Sequence, residues 1–572
     1  MEKMDTGKFV IPISYGSTEV IETGKWSSLK PQALAMTPPC REACPIGTDI
    51  SLFLHFVEQH RYAEALSTIL IENPFPGVCG RVCYHPCETY CNRSQFDEAV
   101  SVQMMERFVS AVTSKDIHIR PIENKDPKKI AILGSGPAGL SCAYFLALLG
   151  HRPTVFEAKK EPGGVMRWGI PQFRLPKAAL KKDIRRILAL PVKLRTNCRV
   201  GKDLSFRELE KFDAVFLSPG AGLNALLSIE GEDLEGVWNG GEFLERIKAE
   251  EKISLGQKTV VIGGGNTAMD VARSASRLGS SVTIAYRRTR DEMPAIRDEI
   301  DEAEEEGIEF KFLIQPLRIR QASAGKLEVT FQRMQLGARD ESNRRRVIPI
   351  EGESLMLEAD SVISAVGELV DLSSVPEDLV KDGYITSGVS PRIFAGGDAV
   401  LQPRTIANAI ASAKAAAISM DLFFRGIGDD QIVSKIKTGR KGSLSMEAYL
   451  QARENGEWPD AKEVISHQQI NTLYFEKSGR AKVRKLSRAR RRNTFQEVNK
   501  GIDDRTAALS ASRCYSCGTC NACFNCFYFC PEGAIAIDPE KRTRTVDLTH
   551  CKGCGTCITV CPRNAAVMRN SS

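Results

Sequence analysis

The 572-residue chain has no uninterrupted apolar run of the length that a membrane-spanning helix needs. Its best stretch, residues 406–424, is broken by Lys414 and Asp421, so a buried or amphipathic helix is expected there and no membrane span. The first thirty residues lack the charged-then-apolar order of a secretory leader, which points to a cytoplasmic protein. Charge of one sign is also scarce. Against 71 Asp and Glu stand 78 Lys and Arg, a net +7, too mild to indicate a nucleic-acid partner. Histidines number seven, so the chemistry is not expected to rest on histidine acid–base work. Tandem repeats of the solenoid kind are absent, and residues 1–39 hold no cysteine at all.

Elsewhere cysteine is abundant. Of 18 cysteines, sixteen fall in three tight groups and only Cys142 and Cys198 stand alone. Close clustering in a chain without a secretory leader argues for metal ligation in a reducing compartment and against disulfides.

Two glycine-rich units sit between the cysteine groups. In residues 128–158 an apolar strand leads into Gly134-x-Gly136-x-x-Gly139, with Pro137 and Ala138 inside the turn, then an apolar helix and a second strand ending in Glu157. Such glycines allow a tight turn, close backbone approach to a pyrophosphate and packing of helix on strand, while the helix N-terminus faces the phosphate charge. Glu157, 18 residues past Gly139, is placed for ribose hydroxyls. Residues 257–290 repeat the pattern as Gly263-x-Gly265-Asn266-Thr267-Ala268, but the second strand ends in Arg287 and Arg288 instead of an acid. A guanidinium there suits a 2′-phosphate that a carboxylate would repel, which favours NADP(H) over NAD(H).

Two dinucleotide sites in one chain suggest FAD beside a nicotinamide. The run 163–177, GGVMRWGIPQFRLPK, follows the first unit and offers Gly164 and Arg174 as cofactor contacts. Much later, Gly397 and Asp398 follow a strand, where Asp398 can bind ribityl hydroxyls. A helix starting near Thr405 would aim its positive end at the flavin.

The last 62 residues, 511–572, hold ten cysteines. Cys520-x2-Cys523-x2-Cys526-x3-Cys530-Pro531 is the bacterial two-cluster ferredoxin run, and Cys551-x2-Cys554-x2-Cys557-x3-Cys561-Pro562 repeats it. In this pattern the fourth cysteine of each run serves the other cluster. One cluster is therefore expected on Cys520, Cys523, Cys526 and Cys561, and the second on Cys551, Cys554, Cys557 and Cys530. Residues 533–538 and 544–548 are expected as a hairpin between the runs. Cys514 and Cys517 are left over, or belong to an alternative register with Cys520. Phe524, Phe527, Tyr528 and Phe529 are expected to keep water from the clusters.

The paired fingerprints, GIPQFRLPK and GGDA together resemble the small (beta) subunit of bacterial glutamate synthase over residues 35–425. The whole chain is similar to NAD(P)H:acceptor oxidoreductases with an appended ferredoxin domain, including diaphorase subunits associated with sulfite reductase and with 2-oxoacid oxidoreductases. The resemblance implies a flavin-proximal [4Fe–4S] cluster on Cys44, Cys83, Cys87 and Cys91. Relatives with two clusters in this region carry a CxxC upstream of the first pair, which this sequence lacks, so one N-terminal cluster is expected, with Cys40 and Cys79 outside its ligand set. Zinc is the alternative metal for four thiolates.

The expected fold is α/β, with two Rossmann-like dinucleotide-binding domains between an α-helical iron–sulfur domain and a two-[4Fe–4S] ferredoxin domain. The helical domain spans 1–125. FAD-binding residues 126–221 and 356–425 enclose a nicotinamide domain at 222–355. Residues 426–510 form a linker with a basic stretch at 477–492, and the ferredoxin domain is 511–572. The expected cofactors are FAD, NADP(H) or NAD(H), and three [4Fe–4S] clusters, one N-terminal and two C-terminal. Nicotinamide carries two electrons as hydride and clusters carry one each, so a flavin must stand between them. The expected activity moves electrons between NAD(P)H and ferredoxin or a catalytic redox partner subunit, in a hetero- or homo-oligomer. The alternatives are a flavin-bifurcating NADPH:ferredoxin oxidoreductase and a non-catalytic iron–sulfur scaffold.

Overall fold

The computed structural model describes residues 21–570 apart from 35, 114–116, 118, 341–343, 374, 386–391, 401–402, 429 and 459–461. The chain divides into two compact units. The larger comprises Cys40–Lys462 and Ser478–Cys514, and the smaller Met1–Pro39, Glu463–Lys477 and Tyr515–Ser572.

In the larger unit two parallel sheets carry the glycine-rich turns. The first has the strand order Ile393–Ala395, Ala214–Leu217, Lys129–Leu133, Arg152–Phe156, Lys193–Arg195. Its central strand, KIAIL, is apolar almost throughout because both faces of a parallel sheet are covered. Helix Pro137–Leu148 is apolar on every side for the same reason, and packs against Ile406–Phe424 in one core. The latter helix is long and apolar enough to cross a membrane by length and composition alone. Its Lys414 and Asp421 are buried in the unit and partnered by Glu72 and His151 respectively.

The second sheet has the order Glu309–Phe312, Ser281–Tyr286, Lys258–Ile262, Ser361–Ser364, Val237–Asn239, all parallel. Between its last two chain segments runs an antiparallel sheet of Ile314–Gln321, Leu327–Arg339 and Arg345–Ala359. The chain leaves the first sheet at Ala214–Leu217 and re-enters it at Ile393–Ala395, so the second domain is an insertion. Exit and return are paired as antiparallel strands Ala221–Asn224 and Glu368–Val370. The expected domain boundary at 355 falls inside strand Arg345–Ala359, and Ser361–Ser364 belongs to the inserted sheet. A four-residue strand, SVIS, fits either sheet, and only its partners decide.

Helices Ile50–Glu58, Tyr62–Glu72, Pro76–Val82 and Val102–Val112 form the helical domain. Its core of Phe53, Leu54, Val57, Leu66, Ile69 and Phe108 also takes in Ala507 and Ala511 of helix Asp504–Ala511. The expected linker is thus folded structure. Glu72 accepts from Ser445 Oγ at 2.6 Å and from Met446 N at 2.9 Å, which anchors helix Met446–Asn455. Strands Arg484–Lys485 and Asn499–Gly501 pair with one another. From the basic stretch, Arg491 is buried against Glu305, and Lys485 reaches Glu302.

The smaller unit contains the expected hairpin, Ile535–Asp538 with Thr543–Val546. Each cysteine run ends on a single helical turn, Asn525–Tyr528 or Thr556–Thr559. Strand Leu29–Ala33 pairs with Ala566–Asn570, so this N-terminal segment is part of the ferredoxin-like unit and not of the helical domain. Lys30 is buried and donates to the carbonyls of Gly24 and Cys551, each at 2.6 Å.

Candidate functional site

At the first glycine turn, Gly134 has φ +90 and a Cβ there would meet Ser218 O at 2.4 Å. A Cβ on Gly139 would lie 1.9 Å from Gly134 O, so the helix packs on the turn only through a bare α-carbon. Space beside Gly136 is open. Ser218 is buried and donates from Oγ to Leu133 O at 2.8 Å. Glu157 lies at the end of the neighbouring strand, accepting from Ser135 N at 3.0 Å and from Lys159 N at 2.8 Å. The turn also receives Gly164, whose Cβ would meet Gly136 Cα at 2.7 Å, and Gly397, whose Cβ would meet that of Ala138 at 2.8 Å. Asp398, next to Gly397, has its carboxyl pushed up by burial, with Arg404 opposing the shift. Thr405 caps helix Ile406–Phe424 by accepting from Asn408 N at 3.1 Å, as the sequence suggested. Turn, acid, covering loop and helix N-terminus gather round one open backbone. That fits a dinucleotide with its pyrophosphate over Gly136.

The second turn repeats the geometry, with Gly263 and an open Gly265, while Asn266 Oδ1 accepts from Ile296 N at 2.9 Å. Thr267 and Ala268 begin the helix Asn266–Arg277. The two arginines at the strand end part company. Arg287 is exposed, whereas Arg288 is buried and donates from Nε to Arg345 O at 2.8 Å. Arg174 pairs within the protein: its side chain is 7% exposed and lies 2.7 Å from Asp270 and 2.8 Å from Glu299. It therefore ties the GIPQFRLPK segment to the inserted domain.

Beside that tie lies a network that no local sequence pattern announced. Arg273 and Arg277, with wholly buried side chains, stack over Phe173 with Cζ at 4.8 and 3.9 Å from its ring centre. Glu306 accepts from both arginines.

The helical domain's thiols lie between two cores. Cys87 is buried with Cys40, Cys44, Cys91 and Cys514 packed on the same cluster, and Cys79 belongs to the adjoining one with Cys44 and Cys83 against it. Burial pushes the thiols of Cys44, Cys83 and Cys87 up. Cys44 and Cys83 also raise Cys87 by repulsion, and Cys44 raises Cys83. A metal site needs these thiols as thiolates. The backbone is arranged to receive sulfur charge, since His85 N donates to Cys83 Sγ at 3.3 Å. Among the described residues no three acidic, histidine or cysteine side chains could share a single metal ion. A cubane takes four thiolates, one on each iron.

In the smaller unit one cavity is lined by Cys520, Cys523, Cys526 and Cys561, and a second by Cys530, Cys551, Cys554 and Cys557. These are the two crossed sets that the ferredoxin pattern implies, and Cys514 and Cys517 line neither cavity. Ala565 N donates to Cys561 Sγ at 3.4 Å. Burial pushes Cys557 up to about 11 although Arg544 opposes it. Of the four aromatic side chains expected to keep water from the clusters, Phe524 is half-buried and lines the first of these cavities, and the other three do not. Phe527, Tyr528 and Phe529 are 43%, 76% and 56% exposed, so they face solvent and do not shield the thiols.

Comparisons with known proteins agree with this construction. The pyridine nucleotide-disulphide oxidoreductase family matches residues 128–413, dihydropyrimidine dehydrogenase domain II with a 4Fe-4S cluster matches 33–117, and a 4Fe-4S dicluster domain matches 519–565. The NADPH-Fe(3+) oxidoreductase subunit beta of Geobacter sulfurreducens is 36% identical over 525 residues, covering 84% of this chain and 75% of that one. The NADP(+)-dependent formate dehydrogenase subunit beta of Moorella thermoacetica is 35% identical over 84% of this chain and 71% of its own length. The small chain of NADPH glutamate synthase from Escherichia coli is 34% identical, over 66% of this chain and 87% of that one. This chain belongs to the glutamate synthase small-subunit-like family of NAD(P)H-dependent oxidoreductases that use FAD and [4Fe–4S] clusters, and it carries a C-terminal two-cluster ferredoxin domain.

Proposed function

We propose that the chain takes hydride from NADPH and delivers single electrons through its ferredoxin domain to a ferredoxin or to a catalytic partner subunit. FAD supplies the conversion between two-electron and one-electron chemistry. The rest is the work of this chain's residues. The turn at Gly134–Gly139 and Glu157 would hold the flavin nucleotide, with Gly164 covering the turn and Asp398 on the ribityl chain. The turn at Gly263–Ala268 would hold NADPH, and the exposed Arg287 would meet its 2′-phosphate. Cys44, Cys83, Cys87 and Cys91 would hold the N-terminal cubane, and the crossed sets in the smaller unit would hold the other two.

The observation that carries this reading is the lining of the two cavities, each by one crossed cysteine set. A partner that accepts electrons one at a time is supported by the exposed Phe527, Tyr528 and Phe529 next to Cys530, an apolar patch of the sort that docking surfaces use. The exposed Arg488, Arg490 and Arg492 would favour an acidic carrier. Similarity to proteins named as subunits supports work within an assembly. Buried thiols that must remain reduced support a cytoplasmic setting.

The test is NADPH-driven reduction of ferredoxin by the full chain under anaerobic conditions. The variant Cys561→Ser is expected to lose ferredoxin reduction while keeping NADPH-driven reduction of a small dye. Equal ferredoxin rates in the two proteins would remove the ferredoxin domain from the pathway.

A further inference from the structure

Residues 23–32 contain no cysteine, yet they lie against the second cavity of the smaller unit. Strand Leu29–Ala33 pairs antiparallel with Ala566–Asn570, and Pro31 lines that cavity together with Cys530, Cys551, Cys554 and Cys557. The short turn Thr23–Trp26 ahead of the strand is fastened to the start of the second cysteine run. Thr23 donates from Oγ1 to His550 O, and Gly24 N donates to Thr549 O at 2.8 Å. Gly553, between Cys551 and Cys554, comes so close to the strand that a Cβ would lie 2.3 Å from Leu29 O.

One side chain in this segment is out of keeping with its surroundings. Lys30 is 6% exposed, and its ammonium donates to two backbone carbonyls, Gly24 O and Cys551 O, each at 2.6 Å. Among the described residues no carboxylate pairs with it. The acids that flank these segments in the chain are engaged elsewhere: Glu22 with Lys25 at 2.9 Å, Glu532 with Lys552 at 2.7 Å and Asp547 with His550 at 2.6 Å. Buried charges are normally paired or held at a metal site. Two carbonyl dipoles satisfy N–H bonds but leave the unit charge of Lys30 uncompensated. The second crossed cysteine set supplies the missing anion. A cubane on four thiolates is negatively charged, and Cys551, one of its expected ligands, already holds the ammonium through its own carbonyl.

We propose that Lys30 is a positioning residue of the cluster on Cys530, Cys551, Cys554 and Cys557, and that its charge favours the reduced state and so raises that cluster's potential. This rests on the reading that the second crossed set holds a cubane. Each reduction adds one electron, supplied from NADPH through the flavin, and with it one negative charge at the cubane. A fixed cation in buried surroundings stabilises that added charge more than one in water does. Lys552 lines the same cavity but is partly exposed and offset by Glu532. The first cavity has its own cations in Arg544 and Arg563, and its lining takes in no residue of 23–32, so the effect of Lys30 falls mainly on one cluster.

The experiment is a potentiometric titration of the full chain without oxygen, followed by low-temperature EPR, with iron counted per FAD. Lys30→Gln keeps a donor for the carbonyls and removes the charge, whereas Lys30→Arg keeps the charge. In Lys30→Gln one cluster signal is expected to move to lower potential with iron content unchanged, while the others stay in place. The signal that moves should persist in Cys561→Ser and be missing from Cys551→Ser. Lys30→Arg should titrate as the wild type does. An unmoved signal in Lys30→Gln, an equal shift in Lys30→Arg, or a shift confined to the Cys561-dependent signal overturns the proposal. Should Lys30→Gln lose about 4 iron atoms, the content of one cubane, Lys30→Arg decides: a cluster kept at the wild-type potential supports the role of charge, and its loss overturns it. A wild type with no signal that depends on Cys551 defeats the reading of the second crossed set, and the proposal with it.

Discussion

Glu306 is the carboxylate on which the buried arginine pair depends, and Glu306→Gln tests how much that network contributes. Arg277 places Nη1 and Nη2 on the two Glu306 oxygens at 2.6 and 2.9 Å, and Glu306 is its only acidic partner among the described residues. Arg273 is better provided, with Glu299 at 2.5 Å and Glu302 at 2.7 Å besides Glu306. Most of the cost should therefore come from one stranded guanidinium. Removing one partner of a buried pair costs about 3–5 kcal/mol. The Phe173 ring remains under Arg277 and the Thr494 carbonyl still accepts from its Nε at 3.0 Å, so the lower end of that range, about 3 kcal/mol, is expected. Glu302→Gln leaves Arg273 with two carboxylates and should cost about 1 kcal/mol. Denaturant unfolding of holoprotein gives both numbers, and the double variant Glu306→Gln with Arg277→Met should recover much of the loss, because it removes the stranded charge. A cost below about 1 kcal/mol for Glu306→Gln, or strict additivity in the double variant, would refute the reasoning.

Two further outcomes follow from the sites. Arg287→Ala should raise KM for NADPH by about 10-fold or more and leave KM for NADH unchanged, as expected when one charged hydrogen bond of about 1.5–3 kcal/mol is lost; equal effects on both nucleotides would contradict the 2′-phosphate role. Burial pushes the Glu106 carboxyl up to about 8, with repulsion from Asp183 adding to the shift and the Asn73 hydrogen bond opposing it. Its folded pKa exceeds the unfolded one, so its contribution to stability is full below about pH 4.5 and is lost as pH rises towards 8. Glu106→Gln should therefore gain stability relative to the parent between pH 5.5 and 8.5 in denaturant midpoints, and parallel pH profiles would count against it.

The parts legible in the sequence were those encoded over short spans. Each glycine turn with its strand and helix occupies some thirty consecutive residues, and each ferredoxin run carries its own spacing. Gly134, Gly263 and the crossed cysteine sets could be placed from local pattern for that reason. What remained hidden depends on pairing between distant segments. Leu29–Ala33 has no mark that assigns it to Ala566–Asn570. Helix Asp504–Ala511 is too short and weakly apolar to announce that it completes a core begun at Ile50. Arg174 sits in a cofactor-like motif, yet its partners Asp270 and Glu299 come from the inserted domain. Phe527, Tyr528 and Phe529 adjoin cysteines, and only the fold shows that they point to solvent.

The most direct measurement is an anaerobic NADPH titration of the full chain, followed by flavin absorbance and by low-temperature EPR of reduced clusters. The account predicts that flavin bleaching is accompanied by reduced-cluster signals, and that the signal of the cluster assigned to Cys520, Cys523, Cys526 and Cys561 is lost in Cys561→Ser while the bleaching persists. Bleaching with no cluster signal at any NADPH concentration, in protein with its full iron content, would contradict it.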